Sequence, residues 1–170
     1  MLSDYAVGRD NNFNLMRFAA ATGVVASHSV AVTQGADAYS PLRAAIGMDV
    51  GNVAVDIFFV TSGFLVSGSL LKRSLSDFTW ARIRRVYPAY LLSLLFCILV
   101  GAYATTRPLA EYFVHPATAR FAIKNGLLLL GSAFNLPGVF EELPVSGVVN
   151  GSLWTLPWEG RMYVALGMIG

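Results

Sequence analysis

Charge is what this sequence has least of. Only 13% of its 170 residues are Asp, Glu, Lys or Arg, where a soluble domain carries about a quarter, so a water-facing globular fold is excluded. The net charge of +2 comes with no basic run interleaved with aromatics, which leaves nucleic acid without a footprint. A single cysteine, Cys97, rules out an internal disulfide and a cysteine metal set, and reads as a small buried hydrophobe. No His, Asp, Glu and Cys cluster has metal-ligand spacing, and no Gly-rich phosphate loop follows a strand. The N-terminus lacks the charged, apolar, small-residue order of a cleaved signal, so the first apolar helix is expected to stay. No internal repeat or low-complexity linker divides the chain, and residues 1–170 read as one domain or its first part.

What fills the space is apolar: 55% of residues are hydrophobic and the mean hydropathy is +0.58. Runs long enough to cross a bilayer, about 17–25 residues, lie at 13–34, 53–71 and 86–105. The fold class is therefore all-α: a polytopic helical integral membrane protein with three transmembrane helices, one ambiguous segment and one incomplete helix. Five of the twelve basic residues, Lys72, Arg73, Arg82, Arg84 and Arg85, fall in the stretch 72–85 between the second and third runs. The loop before it holds only Arg43, so the positive-inside rule puts 72–85, and with it the N-terminus, in the cytoplasm. Pro88, Tyr87 and Tyr90 are expected at the entry to the third span.

The ambiguous segment is 121–134, apolar but short and interrupted by Lys124, Asn125 and two glycines. The acidic pair Glu141 and Glu142, with no basic residue in 135–152, favours a segment that does not cross and leaves 106–152 outside. A further helix begins near Leu153 and is still apolar at Gly170, so the architecture is expected to continue past this point.

Within the first span stand Arg17 and His28. Eleven residues at about 100° each is about 20° past three turns, so the two share a helix face about 16 Å apart. Intramembrane ionisable groups are costly, about 2.5–3.5 kcal/mol for a central Arg, and mark function by default; the bland alternatives are a snorkelling arginine and a packed histidine. In the second span Asp56, Gly63 and Ser67 fall near one face, and Asp56 is placed to orient the His28 imidazole as an acid does in a hydrolase triad. Ser27 and Ser29 flank His28, but helix neighbours point about 100° apart, which disfavours a serine nucleophile. His115, beside Pro116, reads as a loop histidine.

Four motifs in order then carry a resemblance: Arg17 with His28, Asp56-Ile-Phe-Phe-Val-Thr-Ser-Gly-Phe-Leu65, Arg82-Ile-Arg-Arg85-Val-Tyr-Pro88, and Asn150-Gly-Ser-Leu-Trp-Thr-Leu-Pro-Trp-Glu159. The chain resembles the membrane acyltransferase-3 family, integral membrane O-acyltransferases of surface and secreted polysaccharides. The likeness extends to the N-terminal half of a typical member, and so implies a C-terminal half as partner and leaves activity of this half alone open.

The resemblance implies transfer of an acyl group, acetyl above all, from cytoplasmic acyl-CoA to a sugar hydroxyl, with no permanently bound cofactor. Such a hydroxyl needs a base, and an imidazole of unperturbed pKa about 6.5 suits the task. His28 is the expected catalytic base with Asp56 as its acid partner; Arg17, Ser62 and Glu159 are expected to bind substrate. Arg82 and Arg85, three apart, suit CoA phosphates, whereas Lys72, Arg73 and Arg84 are left to anchoring. Glu159 would bind sugar hydroxyls or pair with Arg161; Trp154 and Trp158 are assigned to the interfacial belt. The expected setting is the inner, or cell, membrane, with the bilayer, acyl-CoA and a polysaccharide as partners. Two rival readings remain open at this point: a carrier half whose Arg17, His28 and Asp56 line a solute path, and an inactive truncated relative.

Overall fold

The structure is a computed structural model and describes residues 12–35, 38 and 40–169. In chain order its helices are α1 (Phe13–Gln34), α2 (Pro41–Ile46), α3 (Val50–Leu70), α4 (Leu75–Ala104), α5 (Leu109–Val114), α6 (Pro116–Gly126) and α7 (Thr155–Ile169), with a 3₁₀ turn at Gly151–Trp154 before the last. Among the described residues the only β pairing is an isolated bridge between Asn135 and Val148. Helices α1, α3 and α4 are each long and apolar enough to cross a membrane, as the sequence requires, and the protein is an integral membrane protein. The chain forms two compact units, Met1–Leu65 and Val66–Gly170.

In the first unit α1 runs unbroken until Gly35, whose positive φ of 95° ends it while its N–H bonds the Ala31 carbonyl at 2.9 Å. It packs antiparallel to α3. Phe13 meets Phe64 with ring centroids 5.5 Å apart. At the other end small residues let the backbones close: a Cβ on Gly23 would meet Val50 Cγ1 at 3.2 Å, and one on Gly51 would meet Ser27 Oγ at 2.7 Å. Without a hydrophobic drive between helices in lipid, such small-residue contacts are what hold a pair together. Between these helices lies α2, capped by Ser40, which accepts from the Arg43 N–H, and ended by Gly47 in the left-handed region.

The second unit is built on α4, which begins earlier than expected. The stretch 72–85 is not a loop: helix starts at Leu75, so Arg82, Arg84 and Arg85 stand within the helix, at its second and third turns, rather than before a span. The cause is a serine N-cap. Ser74 accepts from the Asp77 N–H at 3.1 Å and donates to Asp77 Oδ2 at 2.7 Å, which offsets an orphan donor and outweighs the low apolarity of this turn. Pro88 sits inside the helix, where it forgoes one backbone bond.

The ambiguous segment contains no helix long enough to cross. Helix α6 has 11 residues, about 16 Å of rise, against about 30 Å of hydrocarbon. Beyond it the chain turns back until the Thr106 N–H donates to the Gly138 carbonyl at 2.9 Å. Its polar residues are what tie it down. Asn125 is fully buried; its side chain donates to the Ala133 carbonyl and accepts from the Ala133 N–H, both at 2.9 Å. Around it Tyr90, Leu94, Cys97, Tyr112, Phe121 and Leu136 form the core. His115, read as a loop residue, is the cap of α6: its Nδ1 accepts from the Ala117 N–H at 3.1 Å.

Candidate active site

Arg17 and His28 both lie on α1 and both are half-buried. Neither has a hydrogen bond or ion pair among the described residues. The continuous helix keeps them on one face. Ser27, the neighbour, is committed elsewhere, donating to Asp49 Oδ1 at 3.5 Å, and Ser29 donates to the Val25 carbonyl at 2.8 Å, so both flanking hydroxyls are engaged.

Asp56 is not brought beside His28. The antiparallel register pairs Phe13 with Phe64, Gly23 with Ala54 and Ser27 with Gly51, which sets Asp56 level with residue 21 or 22. That is about 10 Å along the axis from His28 at about 1.5 Å per residue, and Asp56 points about 200° round α3 from Ala54. It is exposed, while Ala54 is buried against α1. The acid level with His28 is Asp49, which sequence reasoning did not single out. Asp49 lies just before α3, where it caps the helix by accepting from the Asn52 N–H at 2.9 Å and pairs with Arg43 at 2.7 Å. The Asn52 N–H bond, with the Arg43 guanidinium beside it, holds its carboxyl below the usual range against the opposing effect of burial. Ser62 is half-buried on α3, next to the buried Thr61, whose hydroxyl donates to the Ile57 carbonyl at 2.6 Å.

The second unit does bring expected residues together. Helix α7 runs antiparallel to the start of α4, with Tyr163 edge-on to Phe78 at 6.5 Å and Leu75 against Gly167. This sets Glu159 level with Arg82, and both line one cavity of about 420 Å³. The walls are otherwise mostly apolar, including Phe78, Val86, Leu128 and Leu156, with hydroxyls from Thr79, Tyr87 and Tyr163. Leu128 reaches its place in a left-handed conformation, φ 50°, a strain of order 1–3 kcal/mol. Arg82 lies against the Phe78 ring, 5.7 Å from its centroid, and its Nε is buried with no hydrogen-bond partner, the single such side-chain atom among the described residues. Arg85, about 60° round the helix from it, is exposed.

Glu159 does not pair with Arg161. It accepts from the Tyr163 hydroxyl, one turn on, while Arg161 donates to the Leu129 carbonyl at 3.1 Å and stacks over Trp158. Tyr163 is the member of this group that sequence reasoning missed; its i+4 spacing from Glu159 was the available signal. Arg84 stacks over Trp80, away from the cavity. Among the described residues no group of His, Cys, Asp and Glu has the arrangement to hold a metal ion.

The chain matches a family profile described as an acyltransferase domain over residues 10–169. The chain belongs to the acyltransferase-3 family. Its relatives include the O-acetyl transferase of Shigella phage Sf6, 29% identical over 165 residues, which cover 94% of this chain and 46% of that one. Nodulation protein 10 of Rhizobium leguminosarum bv. viciae is 28% identical over 175 residues, covering 98% and 46%. A protein of the picA locus of Rhizobium radiobacter is 31% identical over 120 residues, covering 56% and 63%. This acyltransferase-3 chain thus spans about half the length of the first two curated relatives. No solved structure matches it.

Proposed function

We propose that the chain is the N-terminal part of a membrane O-acyltransferase that moves an acyl group, acetyl in the simplest case, from acyl-CoA to a sugar hydroxyl. The observation that carries this reading is the cavity where Arg82 and Glu159 meet. It joins a buried, unpartnered guanidinium Nε to apolar walls, at the end of α4 that also bears Arg84 and Arg85. Such a place suits a large anionic donor with an apolar arm. Arg85, exposed beside it, takes the CoA phosphates. The basic cluster at 72–85 supports a cytoplasmic position for this end, hence a cytoplasmic N-terminus in the inner, or cell, membrane.

His28 is the base. The acceptor oxygen attacks the thioester carbonyl and forms the new C–O bond as the imidazole takes its proton; the C–S bond breaks, and the proton passes to the departing sulfur. Arg17, on the same face of α1, and Ser62 bind substrate. Asp56 contributes through its charge rather than through a hydrogen bond, since about 10 Å of axial offset separates it from the His28 level. The unbroken course of α1 and α3 speaks against a carrier, whose sites typically lie at interrupted helices.

The test is transfer of label from acetyl-CoA to surface glycan by membranes carrying this chain, alone and with the C-terminal half of a relative supplied. Label on the glycan with either supports the reading. Its absence from both, with the protein inserted, overturns it.

A further inference from the structure

We infer that the cavity between α4 and α7 receives the pantetheine arm of the thioester donor, with Glu159, Tyr163 and Arg82 reading its amides. This rests on the donor being acyl-CoA, and it moves Glu159 from the acceptor to the donor.

The chemistry of the cavity makes the choice. Its volume of about 420 Å³ falls in the range of about 300–1,000 Å³ usual for small-molecule sites. Phosphate needs several donors in one place, and only Arg82 among the lining residues is cationic. A lipid chain or a long acyl chain needs none, and would leave the Arg82 guanidinium and the second Glu159 carboxylate oxygen facing it without partners, which costs free energy. Pantetheine alternates methylene runs with two amides. The apolar walls match the methylenes. The Arg82 guanidinium, which lines the cavity and makes no hydrogen bond among the described residues, is placed to donate from its terminal N–H groups to an amide carbonyl. Glu159 spends Oε1 on the Tyr163 hydroxyl and keeps Oε2 to accept an amide N–H. Tyr163 thereby fixes the carboxylate rotamer and acts as a positioning residue. Gly160 lets the 127–130 turn close one side of the slot, since a Cβ there would meet Leu129 Cδ2 at 3.0 Å.

The experiment measures binding to the full chain in lipid nanodiscs with three probes: pantetheine, adenosine 3′,5′-bisphosphate and acetyl-CoA. Pantetheine is expected to bind alone. Glu159→Gln is expected to weaken pantetheine and acetyl-CoA at least about tenfold and to leave the bisphosphate within about twofold. Tyr163→Phe should weaken pantetheine less, and Val164→Trp, which adds bulk to the cavity lining, should abolish its binding. Retained bisphosphate binding reports that each variant is folded. Binding of acetyl-CoA and the bisphosphate without pantetheine overturns the inference and leaves the donor reading standing, as does pantetheine binding that ignores both Glu159→Gln and Val164→Trp. Failure of acetyl-CoA itself to bind removes the donor reading and the inference together.

Discussion

The Tyr90 hydroxyl donates to the Asn125 backbone carbonyl at 3.0 Å, joining the middle of α4 to the end of α6 across 35 residues of sequence. With the two bonds between the Asn125 side chain and Ala133, it ties this fully buried residue to α4 and to the returning chain.

That knot predicts stability. Asn125→Ala removes two hydrogen bonds from a fully buried side chain and leaves the half-buried Ala133 N–H and C=O without their partner, so a loss of about 2–4 kcal/mol is expected. Tyr90→Phe removes one donor and should cost about 1 kcal/mol. Reversible unfolding in mixed detergent micelles measures both, and equal effects would show the side-chain amide to be dispensable.

A second stability test uses glycine. A Cβ on Gly101 would meet Leu136 Cδ1 at 2.7 Å and the Tyr112 phenol, and that phenol already donates to the Ile98 carbonyl at 2.9 Å. Gly101→Ala is expected to destabilise by about 1–3 kcal/mol through overpacking. Gly68→Ala, with nothing within 4 Å of its Cβ, should be neutral or slightly stabilising through its better helix propensity. The two melting curves, taken side by side, decide it.

Asp49 predicts a pH dependence. Its carboxyl is held below the ordinary value, first by the Asn52 N–H and then by Arg43. The native state therefore keeps Asp49 ionised where the unfolded chain protonates it. Its contribution is full above the unfolded pKa of about 3.9 and is lost as pH falls through the lower folded value. Asp49→Asn should flatten the acid limb of the stability profile between about pH 5 and pH 2. An unchanged acid limb would refute the assignment.

For activity, His28→Ala is expected to lower acyl transfer by about 10²–10⁴-fold, the usual contribution of a positioned base. Asp56→Asn should cost less than about tenfold, because a charge about 10 Å away in axial level makes no hydrogen bond to the imidazole. Initial rates of label transfer by matched amounts of inserted protein give the comparison. Equal losses would mean that Asp56 reaches His28 after all.

The spans were legible because length and hydropathy alone decide whether a helix can cross, and α1, α3 and α4 meet both conditions. The start of α4 was misplaced because cations were read as a loop, when the deciding signal was Ser74 three residues before Asp77. Asn125 was read as an interruption, although a buried amide with every bond made is an anchor. Arg82 and Glu159 were picked out by motif, but only the antiparallel pairing of α4 and α7 puts them in one cavity. The supposed partnership of Asp56 with His28 failed on register: helical period gives the angle of a residue, and which turn of a neighbour it meets is set by the small residues Gly23, Ser27 and Gly51, which a single sequence does not rank.

The return of the chain from Thr106 to Gly138 also bears on how the chain threads the membrane. A segment that leaves and re-enters at the same place adds no crossing, so everything after it keeps the sidedness of everything before it. Lengthening, trimming or rebuilding such an excursion leaves the parity of the remaining spans intact. Insertions at its exposed turns are therefore expected to leave the rest of the protein threaded as before, so long as the buried Asn125 and the cavity wall at Leu128 are kept.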